Sequence, residues 1–315
     1  MNPRKAGIIG CGFVGASCAF SLMQRGLFSE MVLIDANRAK AEGEAMDLSD
    51  GLPYTASMDI YAGTYDDIAD CALLIIAAGA NQKPGETRLD LIDKNVAIFQ
   101  QIIPEIVRRN FEGILLVVSN PVDVLTYAAY LISGYPARRV IGSGTVLDTA
   151  RLKQLLAEHL SVDGRSIHAF IIGEHGDSEL AVWSGANVSG IDLDHFCEIQ
   201  GYFDHDASME RIYESVRDSA YKIIQRKGAT YYGIAMAVAR IAESIVKDEH
   251  SILPISVVLD GEYGLKGLCL SIPSIVGSKG VEKLLEIPLS RQEREALEDS
   301  AAQLKAVIER WNLQQ

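Results

Sequence analysis

The sequence predicts an α/β fold, in which a doubly wound parallel sheet is followed by an α+β domain. Two patterns support this prediction. In the first half, short and continuously apolar runs alternate with helical patterns, as in parallel sheets with crossover helices. A glycine-rich turn separates the first apolar run from the first helical pattern. Because 315 residues exceed one comfortable core, we place domains at 1–142 and 143–315.

The elements of the first half follow from these patterns. Continuous apolar runs predict strands buried on both faces at 6–9, 31–34, 72–77 and 114–118, with another at 139–141. Helices are predicted at 14–25, 39–48, 86–109 and 122–132, and a proline at 104 is expected to disturb the third.

The second half predicts a different architecture. A helix at 145–159 precedes a strand at 167–172, and two long helices follow at 208–226 and 231–247. Strands at 252–259 and 268–276 flank a short turn, which indicates antiparallel pairing. The last helix carries an apolar stripe of Leu297, Ala301, Leu304, Ile308 and Trp311, which predicts packing against the core.

Composition excludes several classes of partner. The formal charge of -13 disfavours binding to nucleic acid or to an anionic membrane, and no window is apolar enough to span a bilayer. Five scattered cysteines without a C-x-x-C pair argue against disulfides and against a metal site. The first 20 residues superficially resemble a secretory signal, but four glycines interrupt the apolar stretch, so we expect a cytoplasmic protein.

The glycine-rich turn predicts a Rossmann dinucleotide site. Residues 10–15, Gly-Cys-Gly-Phe-Val-Gly, have the G-x-G-x-x-G spacing between a strand and a helix. The glycines Gly10, Gly12 and Gly15 allow a tight turn, a close pyrophosphate and close helix packing, while Phe13 and Val14 open the helix. Asp35 lies 20 residues after Gly15, where a carboxylate accepts hydrogen bonds from ribose hydroxyls and repels a 2′-phosphate. NAD is therefore favoured over NADP.

His175 is the candidate acid–base residue. It lies between Gly173 and Gly176, just past the predicted strand at 167–172, so its ring can point into a cleft. Histidine titrates near neutrality, although a histidine in a turn can also serve only as a local hydrogen-bond partner.

Asp148 and Arg151 are candidate partners of His175. They are three residues apart on a predicted helix and share one of its faces. A carboxylate raises the pKa of an adjacent imidazole, and a guanidinium binds a planar carboxylate. The alternative is an inconsequential surface ion pair, because the sequence does not show which way this helix faces.

Two further segments follow predicted parallel strands at their carboxyl ends, where ligands bind in such sheets. One is the glycine-containing stretch 78–88, which has the hinges of a lid, and the other begins at Asn120-Pro121. At this point a resemblance is clear, because six segments lie in the same order as in the L-lactate dehydrogenase branch of the lactate/malate dehydrogenase family. They are GCGFVG, AAGANQKPGETRLDL, VSNPVDVLTY, GSGTVLDTARL, IIGEHGDSEL and GATYYGIA.

The resemblance implies a role for each site residue. His175 would donate or accept the proton, with Asp148 as its partner, and Arg151 would hold the substrate carboxylate. Arg88 on the lid would polarise the reacting carbonyl. Asn120 would hydrogen-bond near that carbonyl and the nicotinamide, and Thr230 would line the pocket.

The resemblance also bears on the substrate. Malate enzymes carry arginine at the position of Gln82, to pair the second carboxylate of oxaloacetate, whereas glutamine tolerates the methyl group of pyruvate. Lactate is therefore preferred, with malate or a broader 2-hydroxyacid as the alternative. A non-catalytic NAD-binding sensor is a third possibility, but it would not need the histidine, the aspartate and both arginines.

Family members form tetramers, and many bacterial ones are activated by fructose bisphosphate. The resemblance implies a homotetramer acting in glycolysis and pyruvate fermentation. His168 matches the histidine of the activator site, and Lys153 stands where arginine is usual, so it keeps the charge but loses the bidentate fork.

Overall fold

The computed structural model describes residues 2–80 and 88–310, except for the side chains at positions 3, 88–90 and 206. The predicted substrate selector Gln82, most of the lid segment and Trp311 of the apolar stripe lie outside the described residues. Arg88 is described only through its backbone, as the first residue of a helix.

The first half alternates strands and helices as predicted. The strands are β1 (Asn2–Ile9), β2 (Glu30–Ile34), β3 (Asp59–Ala62), β4 (Cys71–Ile76), β5 (Ile114–Val117) and β6 (Val140–Gly142). The helices are α1 (Phe13–Arg25), α2 (Arg38–Asp50), α3 (Arg88–Arg108) and α4 (Val122–Ser133). α3 runs through Pro104 as one element. β3 was not predicted, because its half-exposed residues do not form a continuous apolar run.

The second half contains five helices and eight strands among the described residues. The helices are α5 (Val146–Leu160), α6 (Leu193–Ile199), α7 (His205–Lys227), α8 (Tyr232–Val246) and α9 (Arg291–Arg310). The long strands are β12 (Ser251–Asp260), β13 (Lys266–Gly277) and β14 (Gly280–Leu284). The short strands are β7 (Ile167–His168), β8 (Ile171–Ile172), β9 (Leu180–Ala181), β10 (Asn187–Val188) and β11 (Ile191–Asp192).

A single nine-stranded sheet organises the molecule. Its order is β14-β13-β12-β6-β5-β4-β1-β2-β3. The six strands of the first half pair in parallel, in the doubly wound order that places ligands beyond the carboxyl ends of the strands. The strands β12 to β14 pair antiparallel, as predicted for the first two, and extend the same sheet beyond β6. The predicted fold class is confirmed, and strands of the second half join the sheet of the first.

The prediction of one strand at 167–172 is wrong. The segment forms two strands in different small sheets, since β7 pairs with β10 and β8 pairs with β9. The break at Ala169 and Phe170 lets the chain change partners before it reaches the histidine.

Apolar side chains fill two cores. The larger core covers both faces of the main sheet, and the stripe residues Leu297, Ala301, Leu304 and Ile308 of α9 are buried in it, as predicted. A smaller core lies between α5, α7 and the short strands. None of the described helices is long and apolar enough to cross a membrane.

Candidate active site

The loops after the parallel strands meet at one edge of the sheet. A buried asparagine, Asn95 of α3, joins two of them: its Oδ1 accepts from the Ala80 N–H at 2.7 Å, and its Nδ2 donates to the Asn120 carbonyl at 2.7 Å. The sequence reasoning missed Asn95, because a single polar residue in a helix is not distinctive without its contacts. Asn120 itself is exposed at this edge, followed by a cis bond to Pro121.

The glycine loop has the geometry that its spacing predicts. Gly10 has φ +97°, and a Cβ there would lie 2.5 Å from the backbone nitrogen of Ala78 after β4. A Cβ on Gly15 would lie 1.8 Å from the carbonyl oxygen of Gly10, so α1 could not pack this close with any other residue. A Cβ on Gly12 would have no atom of the described residues within 4 Å, so this backbone faces away from that part of the protein.

The start of α1 fits a dinucleotide phosphate. Among the described side chains none caps this helix, and no acidic residue lies in its first turn, so backbone N–H groups remain for an anion. Asp35 follows β2, and its carboxylate accepts from the N–H groups of Cys11 at 2.7 Å and Asn37 at 2.9 Å. These bonds fix the carboxylate beside the loop while each oxygen keeps a second acceptor position for a ribose hydroxyl. The residues present therefore fit NAD.

The catalytic loop, residues 173–177, is attached to β13 and α9 by the two residues that precede the histidine. Gly173 has φ +90°, and it exchanges backbone hydrogen bonds with Ser271 of β13 at 2.9 and 3.0 Å. The N–H of Glu174 donates to Ser300 Oγ of α9 at 2.9 Å. Glycine permits the positive φ at the turn that carries the chain out of β8 toward Asp148 in the first turn of α5.

His175, Asp148 and Arg151 form a connected group. The His175 Nδ1 lies 2.6 Å from Asp148 Oδ2, and Arg151 Nη1 donates to Asp148 Oδ1 at 2.8 Å. Asp148 is buried with 2% exposure, whereas the His175 side chain keeps 22%, so the imidazole can reach a ligand. The structure brings these three predicted residues together and excludes the alternative of a surface ion pair.

Charge and burial set the pKa values of this group. Burial opposes the imidazolium, but the charge and hydrogen bond of Asp148 outweigh it and raise the pKa of His175 to about 9. Burial alone would raise the pKa of Asp148, yet the neighbouring His175 and Arg151 hold it below its usual value. The pair therefore favours a protonated imidazole beside an ionised carboxylate at neutral pH.

Asp123 is a second carboxylate that the sequence reasoning missed. It lies on α4 with 1% exposure, and its Oδ2 accepts from the His175 backbone N–H at 2.8 Å. Its Oδ1 accepts from Ser256 Oγ of β12 at 2.5 Å. Burial raises the pKa of Asp123 to about 6, although these two donors favour its charged form. Asp123 thus holds the backbone of the catalytic loop to the helix that begins after Asn120.

Glu179 is a third acid in the group. It is 4% exposed, and one polar atom each of Asp148, His175 and Glu179 lie within 4.8 Å of one another. Among the residues that the structure describes, no hydrogen-bond donor reaches its Oε1. No local pattern in the sequence distinguishes this glutamate from a surface residue.

The other predicted residues are less closely connected. Thr230 is half-buried in the turn before α8, and its neighbour Tyr231 stacks on Phe13 of the glycine loop with ring centroids 5.3 Å apart. Lys153 is half-buried on α5, and burial lowers its pKa. His168 is exposed on β7, the strand that packs beside α5.

The fold and the site together define a class of protein. A Rossmann loop suited to NAD shares a sheet edge with a buried aspartate–histidine pair and an arginine. The contacts of Asn95 and Asp123 join the segments after β4 and β5 to the loop that carries the histidine. Such a site belongs to a dinucleotide-dependent dehydrogenase in which a histidine exchanges a proton while a hydride is transferred.

Known proteins agree with this class. A family model described as the lactate/malate dehydrogenase NAD binding domain matches residues 4–142, and one for the alpha/beta C-terminal domain matches residues 145–313. An L-lactate dehydrogenase of Acetivibrio thermocellus is 52% identical over 97% of this chain and 96% of that protein. L-lactate dehydrogenase 1 of Clostridium acetobutylicum is 51% identical over 97% of both chains.

Solved structures give the same result. The minor L-lactate dehydrogenase of Enterococcus mundtii, in its ligand-bound form, superposes with a TM-score of 0.95 at 44% identity, covering 99% of both chains. The chain therefore belongs to the lactate/malate dehydrogenase family.

Proposed function

We propose that this chain is an NAD-dependent L-lactate dehydrogenase that interconverts pyruvate and L-lactate. The observation that carries the proposal is the buried Asp148 joined to His175 and Arg151 at the sheet edge that also holds the glycine loop. The relatives at 51–52% identity are L-lactate dehydrogenases, which supports the same reaction.

The proposed roles follow from the chemistry of each side chain. The chemistry that NAD supplies when bound is hydride exchange with C2 of the substrate. His175 gives its Nε2 proton to the carbonyl oxygen during reduction, and Asp148 keeps the imidazole oriented and charged until then. Arg151 holds the substrate carboxylate with its planar guanidinium. Gly10, Gly12, Phe13, Val14, Gly15 and Asp35 form the proposed cofactor site.

Four further residues complete the proposal. Arg88 would polarise the substrate carbonyl from the lid, and Asn120 would hydrogen-bond near that carbonyl and the nicotinamide. Thr230 would line the pocket beside α8. Gln82 would leave the second carboxylate of oxaloacetate unpaired, at a cost of several kcal/mol, and so select pyruvate.

The raised pKa of His175 makes pyruvate reduction and lactate oxidation depend on pH in opposite ways. Reduction needs the imidazolium, so it should fail as pH rises through about 9. Oxidation of lactate needs the neutral imidazole, so it should be suppressed at pH values well below this.

We also propose a cytoplasmic homotetramer that acts in glycolysis and pyruvate fermentation. Its five buried thiols suit a reducing compartment. Lys153 and His168 are proposed to bind fructose bisphosphate at an interface between subunits, with lysine giving weaker activation than arginine because it lacks the fork.

One assay tests these proposals together. NADH oxidation is followed with pyruvate and with oxaloacetate, each with and without fructose bisphosphate at low substrate. We expect a higher kcat/KM for pyruvate and a lower apparent KM for pyruvate when the sugar bisphosphate is present. Equal or better turnover of oxaloacetate would make the chain a malate or broader 2-hydroxyacid dehydrogenase, and an unchanged KM would reject the activation.

A further inference from the structure

The proposed reaction assigns no role to the buried side chain of Glu179. Glu179 is 4% exposed and lies in the segment between the catalytic loop and β9. Its backbone is fixed, because the hydroxyl group of Tyr213 on α7 donates to the Glu179 carbonyl oxygen. This contact anchors the backbone of Glu179 to α7.

The surroundings of this carboxyl group do not favour its ionised form. No donor among the described residues reaches Oε1, and a buried carboxylate oxygen without a hydrogen bond disfavours the ionised form. Asp148, whose charge repels a second carboxylate, has a polar atom within 4.8 Å of it. Burial and Asp148 together raise the pKa of Glu179 to about 8, so it carries a proton at neutral pH.

Groups on every neighbouring element act on this proton. From α5, Asp148 opposes ionisation and Arg151 favours it, and His175 from the catalytic loop favours it when charged. From α7, Arg217 favours it, although its own side chain is exposed to solvent. From α4, Asp123 acts on His175, whose pKa it raises.

We propose that Glu179 is a positioning residue for the substrate anion, an inference that rests on the proposed function. Its neutral carboxyl group leaves Arg151 and the imidazolium free to attract the substrate carboxylate, and its ionised form repels that anion. Whatever the charges of the other groups, loss of the Glu179 proton makes the pocket more negative by one charge. The substrate then binds only to protein molecules in which both Glu179 and His175 are protonated. The apparent affinity for the substrate falls in proportion to the fraction of protein in that state.

This role of Glu179 predicts the direction in which the pH dependence of kcat/KM shifts in a variant, whereas a purely structural role predicts no such shift. In the parent protein, either Glu179 or His175 can lose the proton that binding requires. In Glu179→Gln only His175 can, because the amide is permanently neutral and has nearly the same shape. The charge of Glu179 also raises the pKa of His175, so in the variant His175 should titrate at or somewhat below about 9. The alkaline decline of kcat/KM for pyruvate should therefore move to higher pH, so that the loss between about pH 7 and pH 9 shrinks at least threefold.

A carboxylate that stays ionised and supports the imidazolium predicts the opposite. Its removal would lower the pKa of His175 and move the alkaline decline to lower pH. A shift to lower pH, or no shift, therefore overturns the proposal. Glu174→Gln is the matched control: it changes another buried glutamate of the same loop, but one whose carboxylate accepts from Ser178, and its decline should stay at the parent position.

A second measurement does not depend on turnover or on the variant folding. Infrared titration of the parent protein without substrate should show a protonated carboxyl C=O stretch at about pH 7.5 that disappears between about pH 7.5 and 9, after Asp123 has ionised. Absence of that band overturns the proposal even if Glu179→Gln does not fold. If the parent does not reduce pyruvate, the proposed function fails, and the infrared band alone decides whether Glu179 holds its proton.

Discussion

Replacing Asp148 with asparagine isolates the contribution of the buried carboxylate to the acid–base residue. The amide can still lie 2.6 Å from His175 Nδ1, but it has no charge to stabilise the imidazolium. Because burial opposes that charge, His175 should then titrate at or below its ordinary pKa of 6.5 instead of about 9. This difference corresponds to about 3 kcal/mol of preference for the protonated ring.

The pH dependence of the effect follows from these values. At about pH 8 the protonated fraction of His175 should fall from about nine-tenths to about 3%, which is a loss of about 30-fold. At about pH 6 both forms are mostly protonated, so this loss should be less than twofold. Any contribution of Asp148 to orientation adds a factor that does not depend on pH.

The assay is kcat/KM for pyruvate between about pH 5.5 and 9.5, from the loss of NADH absorbance under steady-state conditions. For Asp148→Asn we expect the alkaline decline to move to lower pH by about 1.5 units or more. Arg151→Lys serves as a control, because it retains the charge and leaves the Asp148–His175 contact in place. If the decline in Asp148→Asn coincides with that of the parent, the carboxylate does not set the protonation of His175.

Three other substitutions test separate parts of the site. Asp123→Asn can accept only one of the two hydrogen bonds that Asp123 accepts, so it should lower kcat about tenfold and destabilise the fold by about 1–3 kcal/mol. Ser256→Ala should mainly lower the melting temperature. Equal effects of the two substitutions on kcat would contradict this prediction. Gly15→Ala should lose both thermal stability and NADH affinity. Gly12→Ala should lose only NADH affinity in a fluorescence titration, because a methyl group at position 12 meets no atom of the described residues. Gln82→Arg should shift kcat/KM toward oxaloacetate, and unchanged selectivity for pyruvate would show that Gln82 is not the selector.

The sequence predicted the parts of this protein whose cause is local. The spacing of Gly10 and Gly15 specifies a turn and a close packing that only glycine allows, and the structure has both. Continuous apolar runs predicted the inner strands, since these are buried on both faces. The two-residue strands β7 and β8 were predicted as one strand, and β9 to β11 were not predicted, because each is too short to show a period.

The site residues also divide into those that local sequence predicts and those that depend on tertiary packing. Asp148 and Arg151 share a helix face, so their pairing was predictable, although their contact with His175 depends on how α5 packs. Asp123 and Glu179 are functional candidates only because of tertiary burial. A buried carboxylate and an exposed one are the same residue type in the sequence. Only the packed structure shows which hydrogen-bond donors each one contacts.

The central claim is that His175 supplies the proton for NADH-dependent reduction of pyruvate. The most direct test is the single-turnover rate of NADH oxidation by pyruvate in His175→Asn, measured at saturating substrate across the pH range. We predict a rate at least about a thousandfold below the parent, without the decline near pH 9 that marks the imidazolium. A pH-independent rate equal to that of the parent would contradict the account, because the proton would then come from another group.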